Sequence, residues 1–305
     1  MRASSYLPTL LEYFWLRPET AVWRAIDFGV LDAIDFKGPI LDIGCGDGAF
    51  SFMRAGGRYD PAYDFVSEVG DLDKFYGGAD IYDHSPATAK PIVAQPARYK
   101  IDVGLDHKRA LLDKASMTGL YEVVVEADAN VTLPVPNEYF QTIYSNILYW
   151  LDDYPTTLKE TERVLAPGGQ VILQVPSEHF RDFSFYQRFF VRTGDPKWEW
   201  LRLIDRGRSE NIKNTKSEAE WTVDFESAGL KVRRCTPYLS RLVIEAWDIG
   251  LRPISPMLIE MANSLGPGKR QDIKRKWVAN LLPMLSPLCD HESDENGFYL
   301  FELTK

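Results

Sequence analysis

Pro39-Ile40-Leu41-Asp42-Ile43-Gly44-Cys45-Gly46-Asp47-Gly48-Ala49-Phe50 joins a short apolar run to an acid and then to three glycines at alternate positions. Ile40, Leu41 and Ile43 suit a buried strand, and the glycines can take positive φ angles and let the backbone approach a ligand closely. Ala49-Phe50-Ser51-Phe52-Met53 then reads as the opening of a helix, whose first amides and dipole favour a carboxylate or phosphate. Gly44-x-Gly46-x-x-Ala49 also satisfies the looser dinucleotide fingerprint G-x-G-x-x-G/A. The loop by itself therefore admits more than one nucleotide-type cofactor.

The chain around this loop has 305 residues, 45% hydrophobic and 26% charged, values ordinary for a globular protein with a sizeable core. Its net charge of −9 argues against a surface built to neutralise nucleic-acid phosphates. Cys45, Cys235 and Cys289 are far apart and odd in number, which suggests neither a disulfide framework nor a metal cluster. Met1 to Pro8 lacks the apolar core of a secretory signal, and no apolar run approaches the ~20 residues of a membrane span. A cytoplasmic protein without a transmembrane segment is the expectation.

Outward from the loop, apolar residues between Thr9 and Ile34 recur at helical spacing, with Pro18 at a start or break, and predict two short amphipathic helices. Residues 58–98 read as an insertion rich in Asp, Gly, Pro and Tyr. Its acids Asp60, Asp64, Glu68, Asp71, Asp73, Asp80 and Asp83 match no calcium loop and read as a solvated acidic face. A second strand ends at Asp106, placed where it would cap the helix that starts at His107. A third runs from Val123 to Ala129, a fourth from Phe140 to Asn146, and a fifth from Gln170 to Val175 after a helix over 155–165. Leu230–Thr236 and Gly297–Leu303 are two more. Residues 240–293 read as helical, broken by Pro253, Pro256, Pro267, Pro283 and Pro287. Strands alternating with helices imply a mostly parallel α/β sheet covered on both faces.

Leu41-Asp42-Ile43-Gly44-Cys45-Gly46-Asp47-Gly48 resembles the first motif of class I S-adenosylmethionine (SAM) dependent methyltransferases, and three further motifs follow in that family's order. The resemblance implies an α/β, Rossmann-like, seven-stranded sheet with helices on both faces, an N-terminal helical cap over 1–35, a SAM-binding core over 36–175, and a part over 176–305 that completes the sheet and carries helical acceptor-site insertions. It implies that Asp42, Gly44, Cys45 and Gly46 hold the methionine portion of SAM and that Asp106 takes the ribose hydroxyls with His107 bordering the cofactor. Asp128 and Ala129 would receive the adenine. Ser145-Asn146-Ile147-Leu148-Tyr149-Trp150 is similar to the fourth motif of the small-molecule enzymes related to quinone and biotin pathways, where Asn146 would line the passage to the acceptor. In an open parallel sheet these residues converge beyond the carboxyl ends of the strands. The family's usual interval between the first and second motifs is shorter, so Asp106 is assigned by context.

Methyl transfer from a sulfonium is an in-line displacement that orientation and desolvation accelerate, and a base is needed only for a hydroxyl or ammonium acceptor. His179, after the fifth strand, is the candidate base, with His84 second. Arg181, Arg188 and Arg192 among aromatics, and the basic run Lys269 to Lys276, suggest a partly apolar, anionic small-molecule acceptor. Two alternatives stand beside this reading: an NAD(P)-dependent oxidoreductase using the glycine turn, and a non-catalytic SAM-binding relative.

Overall fold

The structure, a computed structural model, describes residues 2–63, 90–205, 211–251 and 254–305. The acids Asp64, Glu68, Asp71, Asp73, Asp80 and Asp83 of the insertion, and His84, lie outside the described residues.

Seven strands form one sheet: β1 (Ile40–Ile43), β4 (Ile101–Asp106), β5 (Tyr121–Glu126), β6 (Phe140–Ser145), β7 (Leu165–Pro176), β8 (Lys231–Ser240) and β9 (Asn296–Thr304). Their order is β5-β4-β1-β6-β7-β9-β8. All neighbours from β5 to β7 pair parallel, while β9 runs antiparallel to both β7 and β8. The mostly parallel seven-stranded sheet read from the sequence is thus borne out. All four residues of β1 are buried, as expected of a central parallel strand covered on both faces.

Side chains alternate between two cores. Leu41, Ile43, Ile143, Val171, Leu173, Phe301 and Leu303 pack on one face with Trp221 and Phe225. On the other face Ile40, Tyr144, Ile172, Phe298 and Leu300 meet the N-terminal helices. These are α1 (Leu7–Tyr13) and α2 (Pro18–Leu31), each started by a proline whose missing N–H would be unpaired there anyway. The parallel crossovers use α3 (Ala49–Arg54), α4 (Arg109–Met117), α5 (Tyr154–Val164) and α6 (Glu218–Ser227), the last opened by a Ser217–Glu220 capping box. The insertion is closed at its base by a small antiparallel pair, β2 (Arg58–Tyr59) with β3 (Val93–Gln95).

Several boundaries differ from the sequence reading. The third strand stops at Glu126, so Asp128 sits in a turn beyond it. The fifth strand begins at Leu165, ahead of the glycines expected to precede it, because Phe140 pairs with Leu165 across a register shift. Helices α7 (Arg241–Ile249), α8 (Ser255–Asn263) and α9 (Pro267–Cys289) follow β8. Pro256 and Pro267 start helices, whereas Pro283 and Pro287 lie inside α9 and do not break it. Val278, Leu281, Leu282, Leu285 and Leu288 of that helix pack on the core, and this burial offsets the lost backbone hydrogen bonds. Among the described residues no helix is long and apolar enough to cross a membrane.

Candidate active site

The glycine loop is stitched to the neighbouring strand. Gly44 N and Cys45 N both donate to the Leu105 carbonyl, at 2.7 and 3.0 Å. Gly44, Gly46 and Gly48 have φ of 80°, 56° and 73°, the left-handed region that other residues avoid. A Cβ on Gly44 would lie 2.4 Å from Ile147 Cγ2 and one on Gly48 2.7 Å from Tyr121 Cε2, whereas one on Gly46 would meet nothing within 4 Å. The loop is therefore walled by protein at its first and third glycines and open at its second.

Asp106 closes β4 with its carboxylate turned back to the loop. Oδ2 accepts from Gly46 N at 3.0 Å and Oδ1 from Lys108 N at 2.9 Å. This corrects the expected helix cap: α4 starts at Arg109, with Lys108 in the cap position. His107 Nδ1 lies 3.6 Å from Asp106 Oδ1, with the imidazole 67% exposed. Asp128 is exposed, and its Oδ1 accepts from both Asn130 N and Asn130 Nδ2, which hold its carboxyl below the usual carboxylate range, with His107 near enough to add to the effect. Asp106, His107 and Asp128 thus share the tips of β4 and β5. Ala129 is buried and its carbonyl accepts from Thr157 Oγ1 at 2.6 Å. Asn146 is half-buried just beyond β6, after Ser145, whose hydroxyl donates to the Ile43 carbonyl at 3.0 Å.

Asp42 lies within β1 and is 2% exposed. Its Oδ2 accepts from Ser51 Oγ at 2.6 Å and from Tyr121 OH at 2.7 Å. Burial pushes this carboxyl up to about 6 against the pull of the two hydroxyls. Asp47 Oδ1 accepts from Ala49 N at 3.1 Å, and burial raises its pKa too. Burial first, and the negative charges of Asp42, Asp106 and Asp47 after it, keep the Cys45 thiol protonated.

This arrangement decides between the cofactors that the loop letters left open. The loop amides of Gly44 and Cys45 are taken by Leu105 O and that of Gly46 by Asp106, and the first helical amide, Ala49 N, is taken by Asp47. Three carboxylates would oppose a pyrophosphate, so the residues do not fit a dinucleotide there. They fit SAM, whose sulfonium and ammonium are cations and whose chain would enter at the open side of Gly46.

Toward β6 to β9 the strand tips carry an aromatic wall on the α2 face. Trp23 meets Phe180, Trp247 and Phe298 at 6.1, 5.2 and 5.5 Å between ring centroids, and Tyr149 meets Phe298 at 5.7 Å. Beneath it lies a buried polar network. Tyr144 OH donates to Gln174 Oε1 at 2.5 Å, Gln174 Nε2 donates to Tyr238 OH at 2.8 Å and to Asp27 Oδ1 at 3.2 Å, and Tyr238 OH donates to Asp27 Oδ1 at 3.1 Å. Arg24 Nη1 donates to Asp27 Oδ2 at 3.1 Å, with its guanidinium 4.9 Å over the Phe50 ring. Sequence reading missed Arg24, Asp27, Gln174 and Tyr238. The available signal was a polar residue inside an apolar stripe, Asp27 beside Ile26 and Phe28, and Gln174 between Leu173 and Val175.

His179 is exposed at the end of the wall, its Nε2 3.8 Å from Glu178 Oε1. The arginines expected at the acceptor rim are engaged elsewhere: Arg188 pairs with Glu245, Arg192 with Asp182 at 2.5 Å, and Arg181 donates to the carbonyls of Ile212 and Lys213. In the run on α9, Lys274 is buried and donates to the Pro61 carbonyl at 2.8 Å, and Arg275 pairs with Asp272.

A family model described as a methyltransferase domain matches residues 20–234, more than half of the chain. A curated malonyl-[acyl-carrier protein] O-methyltransferase from Halorhodospira halophila is 46% identical over 41 residues, 13% of this chain and 14% of that protein's length. Among solved structures, a SAM-dependent methyltransferase from Thermotoga maritima is similar at 14% identity and a TM-score of 0.47, over 98% of this chain and 99% of that one. A SAM-dependent methyltransferase from Mesorhizobium loti is similar at 15% identity and a TM-score of 0.47, over 93% of this chain and 100% of that one. The chain therefore belongs to the methyltransferase domain family, with the strand order and glycine loop of its class I SAM-dependent members.

Proposed function

We propose that this protein transfers the methyl group of SAM to a partly apolar small molecule. The observation that carries the reading is an open glycine loop that follows Asp42, contains Asp47 and is held by Asp106, next to an aromatic wall. When bound, SAM supplies a methyl group on a good leaving group. The chain's own part is to bind and orient: Gly44, Cys45 and Gly46 with Asp42 for the methionine end, Asp106 with His107 for the ribose, Asp128 and Ala129 for the adenine. Asn146 stands at the passage between the loop and the wall.

For the acceptor, a cavity of about 130 Å³ between α2, α7 and α9, lined by Val22, Val243, Trp247 and Leu285, offers apolar space beside the wall. With the rim arginines engaged, the acceptor's anionic character rests on its own reacting group. A carboxylate oxygen is already a nucleophile and needs no base, which agrees with the short match to an O-methyltransferase. His179 is the base for a hydroxyl acceptor. The test is transfer of radiolabelled methyl from SAM to a panel of aliphatic and aromatic carboxylic acids and their hydroxyl analogues. The reading expects volatile methyl ester from the acids, and no transfer to any member would contradict it.

The raised pKa of Asp42 predicts a pH signature. With its carboxyl near 6 in the folded protein, Asp42 is mostly neutral at pH 5 and mostly anionic at pH 7.5. The cationic sulfonium gains from that charge and the uncharged thioether of S-adenosylhomocysteine does not. The affinity ratio of SAM to S-adenosylhomocysteine should therefore rise between pH 5 and 7.5, by calorimetry at each pH, and flatten in Asp42→Asn.

A further inference from the structure

Helix α8 is apolar on two sides. Pro256, Ile259 and Ala262 are buried, and Ile259 and Ala262 pack with Trp15 and Leu16. Ile254, Met257 and Met261, spaced at i, i+3 and i+7, share the opposite face and are exposed, the two methionines at 53% and 65%. Glu260 is the one charged residue between Ser255 and Asn263. A helix with an apolar stripe on each side calls for a partner on each, and the core supplies one. Ile249, at the end of α7 and five residues before this stripe, is 68% exposed and also lines the apolar cavity between α2, α7 and α9.

Beside the stripe lies a basic row. Residues 254–289 hold five basic and two acidic residues in a chain of net charge −9. Arg270 Nη1 donates to Asn263 Oδ1 at 2.6 Å and joins the start of α9 to the end of α8, while Ile273 and Trp277 of α9 pack with Ile259 and Ala262. Lys269 and Lys276, two turns apart on α9, share the face of Ile273, so the lysine row borders α8. Met284, 69% exposed, extends it. Arg275 pairs with Asp272, and Lys274 turns inward to the Pro61 carbonyl. Lys269 and Lys276 are exposed and have no acidic partner among the described residues.

We propose that this face, Ile254, Met257 and Met261 with Lys269 and Lys276, docks on an anionic lipid surface. Apolar side chains that enter the headgroup layer, beside lysines that stay with the phosphates, are the two signals that reversible surface binding needs. A second copy fits less well, because a two-fold contact would set the lysines against their own counterparts. A protein partner also fits less well, since lysine is depleted in such interfaces. Docking brings the Ile249 side of the cavity close to the lipid, and a route for the apolar acceptor through it rests on the reading above.

The test is sedimentation with phosphatidylcholine vesicles that contain about 30% phosphatidylserine, without cofactor. The wild-type protein should bind them, bind pure phosphatidylcholine at least about tenfold less, and be released as salt rises toward about 0.5 M. Lys269→Gln with Lys276→Gln, and separately Met257→Ser with Met261→Ser, should each lower binding about tenfold or more. All four side chains are exposed, so thermal unfolding should stay close to wild type in both pairs. No binding of the wild-type protein to the anionic vesicles, or unchanged binding by either pair of variants, would overturn the proposal. So would wild-type dimers in ultracentrifugation that the methionine pair breaks, in place of vesicle binding, which would give the face to a second copy. These outcomes need no cofactor and are independent of the SAM reading, whose failure shows as absent S-adenosylhomocysteine affinity.

Discussion

Asp106→Ala is expected to lower affinity for S-adenosylhomocysteine at least about 100-fold while leaving the chain folded. The carboxylate now accepts from Gly46 N and Lys108 N and so sets the shape of the loop and of the turn before α4. In the SAM reading it also takes the ribose hydroxyls, for which a carboxylate has acceptor capacity left. Hydrogen bonds to a charged group are each worth about 1.5–3 kcal/mol, and each 1.4 kcal/mol is tenfold in affinity. Loss of two such contacts to the ligand accounts for the expected drop. The cost to folding is smaller, because the two amides freed belong to half-buried residues at the carboxyl end of β4, where water can replace the carboxylate. It should stay near 1–2 kcal/mol, against a typical stability of roughly 5–15 kcal/mol. Calorimetry and thermal unfolding on the same preparation separate the two effects. Intact affinity in a folded variant would remove Asp106 from the ribose site.

The second large effect is expected at Gly44. Its φ of 80° lies in the left-handed region, and a Cβ there would sit 2.4, 2.7 and 2.8 Å from three side-chain atoms of Ile147. Gly44→Ala therefore combines a strained dihedral, about 1–3 kcal/mol, with overpacking of roughly another 1–3 kcal/mol. Ile147 belongs to the segment beyond β6, so the collision would push apart the loop and the acceptor passage together. The variant should unfold at a markedly lower temperature and lose S-adenosylhomocysteine binding. Adding Ile147→Ala should restore part of the stability, since it removes the collision and leaves the dihedral. No recovery in the double variant would mean that the dihedral carries the whole cost.

Much of the fold was legible because its signals are local. Four consecutive buried residues in β1, apolar strands followed by acids, and helices between them leave few arrangements other than a parallel sheet. That Asp106, His107 and Asp128 meet at one edge follows from that topology alone. What was not legible depends on contacts far apart in sequence. The orientation of Asp42 is set by Tyr121, and the placement of Arg24 by Asp27, Gln174 and Tyr238. No spacing rule connects a helix near residue 27 to a strand near 238. The amides at the opening of α3 read as free in sequence, but Asp47 takes that of Ala49, and Leu105 and Asp106 take those of Gly44, Cys45 and Gly46 ahead of it. The prolines of α9 misled for the same reason, since packing against the core decided that helix.

An acidic glycine loop should favour a sulfonium cofactor over a pyrophosphate one. Paired calorimetric titrations of the wild-type protein with S-adenosylhomocysteine and with NAD test it most directly. One-site binding of S-adenosylhomocysteine at micromolar concentration and no heat from NAD are expected. Binding of NAD, or the absence of S-adenosylhomocysteine binding up to millimolar concentration, would contradict it.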